Sequence, residues 1–334
     1  MKEKIRWGIL GCGRIARKFA ADLQYVQEAE LVAVGSRSRE NAAAFAADIP
    51  VKQQYASYEA LANDPDVDII YVATPHNLHY ENTLLCLSSN KAVLCEKPFA
   101  INAKQAAKMI SLAKENQLFL MEALWTKFMP HYIKVKEMVN AGKIGTVKTV
   151  LANFGFRPWA PIPQRLFDPE LGGGTIMDIG IYNIFMALSF LGKPDSIEAA
   201  MTPAATGVDE QCSVLFKYNN GAMAQLFSSF FTSLGTEADI CGDAGRIRLT
   251  SRFYEPSTVV EFYPGTVDTK QVIPYHKEPG YGYQFEIRHV CDCLKQGLTE
   301  SPVMSHSDTL LLMETLDTVR KKAGVTYPAD NGLL

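Results

Sequence analysis

The chain opens on Ile5-Arg6-Trp7-Gly8-Ile9-Leu10-Gly11-Cys12-Gly13-Arg14-Ile15-Ala16, an apolar run that ends in a glycine-rich turn. Ile5 to Leu10 reads as a buried parallel strand, and Ile15, Phe19 and Leu23 then set a helical period. A glycine turn between strand and helix lets the backbone come close to a pyrophosphate. The helix N-terminus meets that anion with free N–H groups and the positive end of its dipole. Gly13 stands where a side chain would block the approach, and Ala16 takes the small position where strand and helix pack. Gly11, Gly13, Arg14, Ile15 and Ala16 are therefore expected to form a dinucleotide cradle. The pattern is weak alone; a place between strand and helix, followed by a second strand over residues 30–35, gives it context.

The end of that second strand bears on which nucleotide binds. An NAD site normally places Asp or Glu here to accept from the ribose 2′-hydroxyl, whereas this chain has Ser36-Arg37-Ser38-Arg39. With no carboxylate expected in the way, the Arg37 guanidinium and the Ser36 and Ser38 hydroxyls suit a 2′-phosphate. The reading favours NADP(H) over NAD(H). The alternative makes Arg37 and Arg39 solvated charges that open the next helix.

At 334 residues the chain suits two domains, divided here as 1–122 and 123–334. Apolar residues make up 47% and charged residues 21%, as in soluble globular proteins, and a net charge of −3 gives no basic footprint for nucleic acid or an anionic membrane. Met1-Lys2-Glu3-Lys4 runs straight into the first strand without a leader pattern, and no apolar run reads as long enough to span a bilayer. A cytoplasmic protein is expected. Seven cysteines, an odd number, argue for reduced thiols. Six histidines show no ligand spacing, so no metal is expected.

Strand and helix patterns alternate as far as residue 121: helix 40–47, strand 51–55, helix 58–63, strand 67–73, helix 78–90, strand 92–95, helix 103–116 and strand 119–121. This predicts an α/β, doubly wound Rossmann domain with its site along the carboxyl ends of the strands. Two of those ends carry polar groups: Thr74-Pro75-His76-Asn77, placed against cofactor ribose or phosphate, and Glu96-Lys97-Pro98. After a helix over 131–140, longer strands with period-two alternation cover 146–156, 196–202, 210–218, 221–231, 237–241 and 245–249. They predict an α+β domain on a large, mostly antiparallel, open-faced sheet, and helices over 283–296 and 307–323 close the chain.

Reactive groups concentrate in two places. Lys97 at a strand end can point at nicotinamide or substrate, or be merely solvated. In Gly172-Gly173-Gly174-Thr175-Ile176-Met177-Asp178-Ile179-Gly180-Ile181-Tyr182, Asp178 and Tyr182 are four apart and are expected on one helix face. The alternative there is a helix-start Asp with a core Tyr. Trp125, Phe154, Arg157, Trp159 and Arg165 are candidates for substrate contact, since aromatic faces pack on sugar C–H surfaces or planar diols and Arg binds hydroxyls or an anion.

These motifs together, GCGRIA, the Arg37 segment, VATPHNLH at 72–79, EKP at 96–98 and GGGxxxDxGxY at 172–182, resemble the family of glucose-fructose oxidoreductase, inositol dehydrogenase and MocA. MEALWTKFMP at 121–130, RLFDPELGGG at 165–174 and Tyr rather than His at 182 are most similar to its branch of dimeric dihydrodiol dehydrogenases and NADP-dependent D-xylose dehydrogenases. The resemblance implies Lys97 and Tyr182 as the catalytic pair with Asp178 beside them, Glu96 and Lys97 at the nicotinamide, and a homodimer or higher homo-oligomer through the open sheet face. Chemically, a free phenol with a pKa of about 10 is a poor base at neutral pH, and a neighbouring ammonium favours the phenolate. Such a site would move hydride between nicotinamide and a sugar, cyclic polyol or trans-dihydrodiol. An inositol or other sugar dehydrogenase stays open, as does a silent NADP(H)-binding regulator, against which the intact Lys97, Asp178 and Tyr182 argue.

Overall fold

The computed structural model describes residues 4–265 and 269–331, so the leader reading at residues 1–3 lies outside the described residues. The chain runs β1 (Ile5–Leu10), α1 (Arg14–Leu23), β2 (Ala29–Gly35), α2 (Arg39–Asp48), β3 (Gln53–Tyr55), α3 (Tyr58–Ala62), β4 (Ile69–Val72), α4 (His79–Ser88), β5 (Ala92–Glu96), α5 (Ala103–Glu115) and β6 (Leu120–Ala123). It continues with α6 (Pro130–Asn140), β7 (Val147–Gly155), α7 (Ile181–Leu191), β8 (Ser196–Pro203), β9 (Asp209–Lys217), β10 (Met223–Ser229), β11 (Glu237–Gly242), β12 (Gly245–Leu249), β13 (Val260–Pro264), β14 (Gln271–Ile273), α8 (Tyr283–Lys295) and α9 (His306–Ala323).

Two compact units result: Met1–Phe128 with Glu278–Leu310, and Met129–Lys277 with Leu311–Leu334. The single cut expected at 122/123 differs from this division, because α8 and the first turn of α9 belong with the N-terminal unit. A long-range cap draws α8 there. Asp22 of α1 is fully buried, and its carboxylate accepts from the backbone N–H of Tyr281 at 2.9 Å and of Tyr283 at 2.8 Å. These are donors that a helix start leaves without intrahelical partners. Burial pushes the Asp22 pKa up, against the pull of those N–H groups.

The first unit carries a six-stranded parallel sheet in the order β3-β2-β1-β4-β5-β6. This is the doubly wound order, with the strand direction of assembly reversing between β1 and β4. β4 is buried along its whole length and β5 along all but its last residue, as expected for apolar strands covered on both faces. Ser38, Ser57 and Asn102 cap α2, α3 and α5 through hydrogen bonds from Asn41, Ala60 and Gln105 N–H. Gly13 at the start of α1 offers no side-chain cap, so that N-terminus keeps its donors outward.

The second unit holds an eight-stranded sheet, β14-β13-β12-β11-β7-β10-β9-β8, antiparallel except between β7 and β10. Its strands alternate between buried and exposed residues, and α7 packs on the buried face. β13 and β14 are not foreseen from the sequence: one ends at Pro264 and the other has three residues without alternation. The continuous stretch Pro169–Leu191 corrects the expectation about bilayer-spanning length. It is long and apolar enough to cross a membrane by composition, yet 78% of its most apolar window is buried inside the protein. All seven cysteines are free thiols, five of them buried.

Replacing Asp22 by Ala strips the first turn of α8 of its cap. Urea unfolding is expected to show a loss of about 2 kcal/mol in stability.

Candidate active site

In the first unit the candidate cofactor residues line the carboxyl ends of β1, β2, β4 and β5. Gly11 has a φ of +106°, and a Cβ there would lie 2.8 Å from the Ala73 carbonyl oxygen, so only glycine fits. A Cβ on Gly13 would meet no atom within 4 Å and would project into open space. That open side leaves room for the close approach a pyrophosphate needs. Ala16 is fully buried, whereas Arg14 is exposed and Ile15 half-buried.

At the end of β2, Ser36 is buried, and its Oγ accepts from Ser38 N–H at 3.3 Å. Arg37 is exposed and reaches the Tyr58 hydroxyl, which holds it at this corner. Ser38 is the N-cap of α2: its Oγ accepts from Asn41 N–H at 3.2 Å and donates to the Glu40 carboxylate at 2.7 Å. The expectation that no carboxylate stands here is corrected by Glu40, and the Ser38 hydroxyl is already committed to the helix start.

After β4, Thr74 accepts from Asn82 Nδ2 at 3.1 Å through its hydroxyl. Pro75 leads into a short 3-10 turn, His76–Leu78, where His76 is half-buried with its ring edge-on to His79. Asn77 Oδ1 is buried without a hydrogen-bond partner among the described residues. This orphaned acceptor, the open Cβ direction at Gly13 and the uncapped α1 terminus together fit a nucleotide at the strand ends.

The Glu96-Lys97-Pro98 turn is held from several sides. Tyr71 donates its hydroxyl to Glu96 Oε1, and the Lys97 N–H donates to Glu96 Oε2 at 3.1 Å. His79, fully buried, sets Nδ1 2.8 Å from the Pro98 carbonyl and Nε2 2.9 Å from that of Thr74. Burial lowers the His79 pKa. Glu122 accepts from the Phe99 N–H at 3.2 Å, and burial pushes its carboxyl up to about 7. Trp125 is buried in this unit with one face stacked on Tyr283 at 4.5 Å. A cavity of about 930 Å³ opens at the amino end of β2, lined by Gln24, Glu28, Leu31 and Lys295, and it contains none of these groups.

In the second unit the glycine triplet feeds the segment that carries Asp178 and Tyr182. A Cβ on Gly173 would lie 2.9 Å from two backbone oxygens, and Gly174 has a φ of +105° against Asp209. Asp209 accepts from Thr175 Oγ1 at 2.5 Å and Ile176 N–H at 2.8 Å, while Tyr327 donates to the Gly173 carbonyl at 2.5 Å. Ile176–Gly180 is a π-helical turn rather than the α-helix expected. The four-residue spacing of Asp178 and Tyr182 therefore crosses a change of helix type, and the argument from α-helical spacing does not hold there.

Tyr182 is 5% exposed and forms an aromatic wall with Phe154 and Tyr254, at centroid distances of 5.9 and 5.0 Å. Phe154 and Tyr254 stack at 4.6 Å. Arg165 Nη1 lies 3.4 Å from Asp178 Oδ2. Tyr254 was missed in the sequence because it sits in an irregular segment with no motif. Burial pushes its hydroxyl up to about 12, with Glu255 adding to the effect. Of the other candidates for substrate contact, Arg157 is exposed and Trp159 is 84% exposed.

A doubly wound unit with a nucleotide cradle, followed by a unit presenting a phenol, a carboxylate and an arginine on an aromatic wall, defines a nicotinamide-dependent oxidoreductase. Residues 5–124 match the model of the oxidoreductase family with an NAD-binding Rossmann fold, and residues 132–248 match the GFO/IDH/MocA C-terminal domain. The chain belongs to the Gfo/Idh/MocA oxidoreductase family. It is 38% identical to the trans-1,2-dihydrobenzene-1,2-diol dehydrogenase of Xenopus laevis and 36% identical to that of Homo sapiens, covering 97% and 98% of this chain and 99% of each relative. A 3-ketoreductase from Actinomadura kijaniata, solved with NADP and TDP-benzene, superposes with a TM-score of 0.85 at 28% identity, covering 97% of this chain and 99% of that one.

Asp209 supplies a test of the site's scaffold. Burial raises its pKa from 3.8 to about 6, so its contribution to stability is complete below the lower value and is lost as pH rises through the upper one. Asp209→Asn is expected to remove about 3 kcal/mol of pH dependence between those limits, read as the difference from wild type in chemical unfolding across the pH range.

Proposed function

We propose that the protein is a cytoplasmic, NADP-dependent dehydrogenase that moves hydride between nicotinamide and a ring carbon bearing a hydroxyl, in a trans-dihydrodiol, a cyclic polyol or a sugar. The observation that carries this reading is the buried Tyr182 phenol on a wall of flat rings with Phe154 and Tyr254, in the unit that also pairs Asp178 with Arg165 and sets the Asp178 charge within reach of Tyr254. Aromatic faces suit a planar diene or the C–H face of a sugar, while the carboxylate and guanidinium suit adjacent hydroxyls. The full-length likeness to dihydrodiol dehydrogenases supports the same substrate class.

When bound, the nicotinamide takes up or delivers the hydride. Tyr182 Oη takes the hydroxyl proton in oxidation and returns it in reduction. Lys97 holds positive charge where the oxygen becomes negative and favours the ionised phenol. Asp178, oriented by Arg165, fixes a substrate hydroxyl. Arg37, set beside the Tyr58 hydroxyl, would take a 2′-phosphate, with Ser36 below it, and Asn77 Oδ1 would accept from the cofactor's ribose. His76, Thr74 and Pro75 line the same edge.

Fluorescence titration with NADPH and NADH tests the cofactor reading. Tighter binding of NADPH, lost by at least tenfold in Arg37→Asp, is expected, and equal binding of both would sink it. With a panel of dihydrodiols, pentoses, hexoses and inositols, Tyr182→Phe is expected to lower kcat on the order of a hundredfold or more with cofactor affinity unchanged. Tight NADPH binding with no turnover anywhere in the panel would favour the regulator instead.

The partner in this reading is a second copy, docked on the open face of the eight-stranded sheet. Leu151 and Met223, 38% and 43% exposed, lie on that face. Sedimentation of the Leu151→Arg/Met223→Arg double variant is expected to give monomer where wild type gives dimer.

A further inference from the structure

Phe154 and Tyr182 reach the aromatic wall from β7 and α7, whereas Tyr254 reaches it from the irregular stretch between β12 and β13. Its place depends on what fixes that stretch. The Glu255 N–H donates to the Arg252 carbonyl at 3.0 Å, and Arg252 Nη1 donates to Glu255 Oε1 at 3.2 Å, which closes a tight turn with Phe253 and Tyr254 at its centre. Arg252 enters it with a φ of +62°. The carbonyl of a turn's central peptide takes no part in the turn's own hydrogen bond, and turn types I and II differ by a flip of that peptide. Here the central carbonyl is that of Phe253, so a flip would redirect the backbone of Tyr254. It is held from α6, where His131 Nε2 donates to it at 2.8 Å.

His131 is fully buried. A carbonyl oxygen only accepts, so Nε2 carries the hydrogen, and Nδ1 is left as a buried acceptor with no partner among the described residues. Burial lowers the His131 pKa to about 4, against the pull of the Phe253 carbonyl and with Lys277 acting in the same sense as burial. The ring is therefore neutral at pH 7. An apolar side chain would fill this position without the cost of an unmatched Nδ1, but it would not supply a donor to Phe253. Tyr275, its ring edge-on to His131 at 5.6 Å, donates its hydroxyl to the Thr258 carbonyl and holds the far side of the same stretch.

We propose that His131 is a positioning residue for the aromatic wall: by fixing the Phe253 carbonyl it sets the plane in which the Tyr254 ring meets Phe154 and Tyr182, and with it the selectivity for a flat ring over a sugar. The Phe154 and Tyr254 rings lie 21° from parallel. A flat diene stacks well only on a ring held near its own plane, whereas the C–H face of a sugar tolerates tilt. The inference rests on the reading of the wall as the substrate surface, but the hold on Tyr254 is measurable without turnover.

Nitrogen-15 NMR of the full-length protein at neutral pH is the first test. The ring signals absent from His131→Gln are expected to be those of a neutral Nε2–H tautomer, and a charged ring or an Nδ1–H tautomer overturns the proposal. Fluorotyrosine labelling then follows Tyr254, marked by the resonance lost in Tyr254→Phe. His131→Phe keeps a flat ring against Tyr275 without a donor and is expected to shift that resonance. His131→Gln, whose amide reaches as far as Nε2, is expected to leave it in place. A resonance unmoved in His131→Phe overturns the hold on Tyr254. In kinetics, the ratio of kcat/KM for a trans-dihydrodiol to that for a pentose is expected to fall on the order of tenfold in His131→Phe, through KM, and to recover in His131→Gln, with NADPH affinity unchanged in both. A loss of thermal stability with that ratio unmoved marks His131 as structural and overturns the positioning role. If His131→Phe does not fold, His131→Asn, whose amide reaches only as far as Nδ1, takes its place with the same expectations. If wild type turns over neither substrate, the reading of the wall fails and the selectivity with it, while the tautomer and the Tyr254 resonance decide the hold alone.

Discussion

The turn from Glu96 to Phe99 has no regular structure of its own, and its place depends on buried polar groups sent from other elements. Tyr71 holds the Glu96 carboxylate, the His79 ring spans the carbonyls of Thr74 and Pro98, and Glu122 takes the Phe99 N–H. Each partner is buried, so each bond is made where a missing one would be costly. The His79 ring joins the ends of β4 and β5, the two strands on the far side of the switch point from β2. The Lys97 backbone sits between these ties.

The second unit solves a similar problem with different chemistry. The segment bearing Asp178 and Tyr182 begins at a glycine triplet that packs too closely for side chains, and Asp209 fixes its first N–H group. Tyr327 holds the Gly173 carbonyl, and its ring lies under Arg320, which pairs with Asp330 at 2.6 Å and Asp317 at 2.7 Å. The Arg320 side chain is wholly buried between two carboxylates, so its charge is compensated and the chain end is tied to the glycine turn. The π-helical turn follows from this anchoring: with the start fixed by Asp209 and the end continuing as α7, the extra residue is taken up between them.

The first unit was legible in the sequence because its signals are local. Continuous apolar runs, their spacing by helical segments, and the glycine turn each act within about ten residues, and every strand and helix read there exists, with ends moved by at most two residues. Several features that the sequence did not announce depend on contacts that periodicity does not report. Asp22 caps a helix that begins more than 250 residues later, which no periodicity announces. Glu40 reaches Ser38 because Ser38 caps α2, a use of the hydroxyl that competes with phosphate binding. Tyr254 joins Tyr182 only through the folding of β7 beside an irregular segment, and Glu286 reads as an ordinary acidic residue on an amphipathic helix until its burial is known. Arg157 and Trp159 were chosen by residue type, which does not fix how exposed a loop side chain is, and both are exposed.

The buried acids of the two units share a sign. Asp22, Glu122, Asp209 and Glu286 all have their pKa raised by burial, so each holds a proton more tightly in the folded chain than in the unfolded one, and the stability each lends at low pH is lost as pH rises. Oxidation of an alcohol by a nicotinamide releases a proton and is drawn forward by the same rise in pH. The fold and the proposed reaction thus pull in opposite directions along the pH axis. Glu122, with its pKa near 7 and its oxygen on the Phe99 N–H, stands where the two meet. Its ionisation strengthens the acceptor that holds the Lys97 turn while it lowers the stability of the unit carrying that turn. A carboxyl kept buried against this turn trades stability for a firmer hold on the turn near neutral pH.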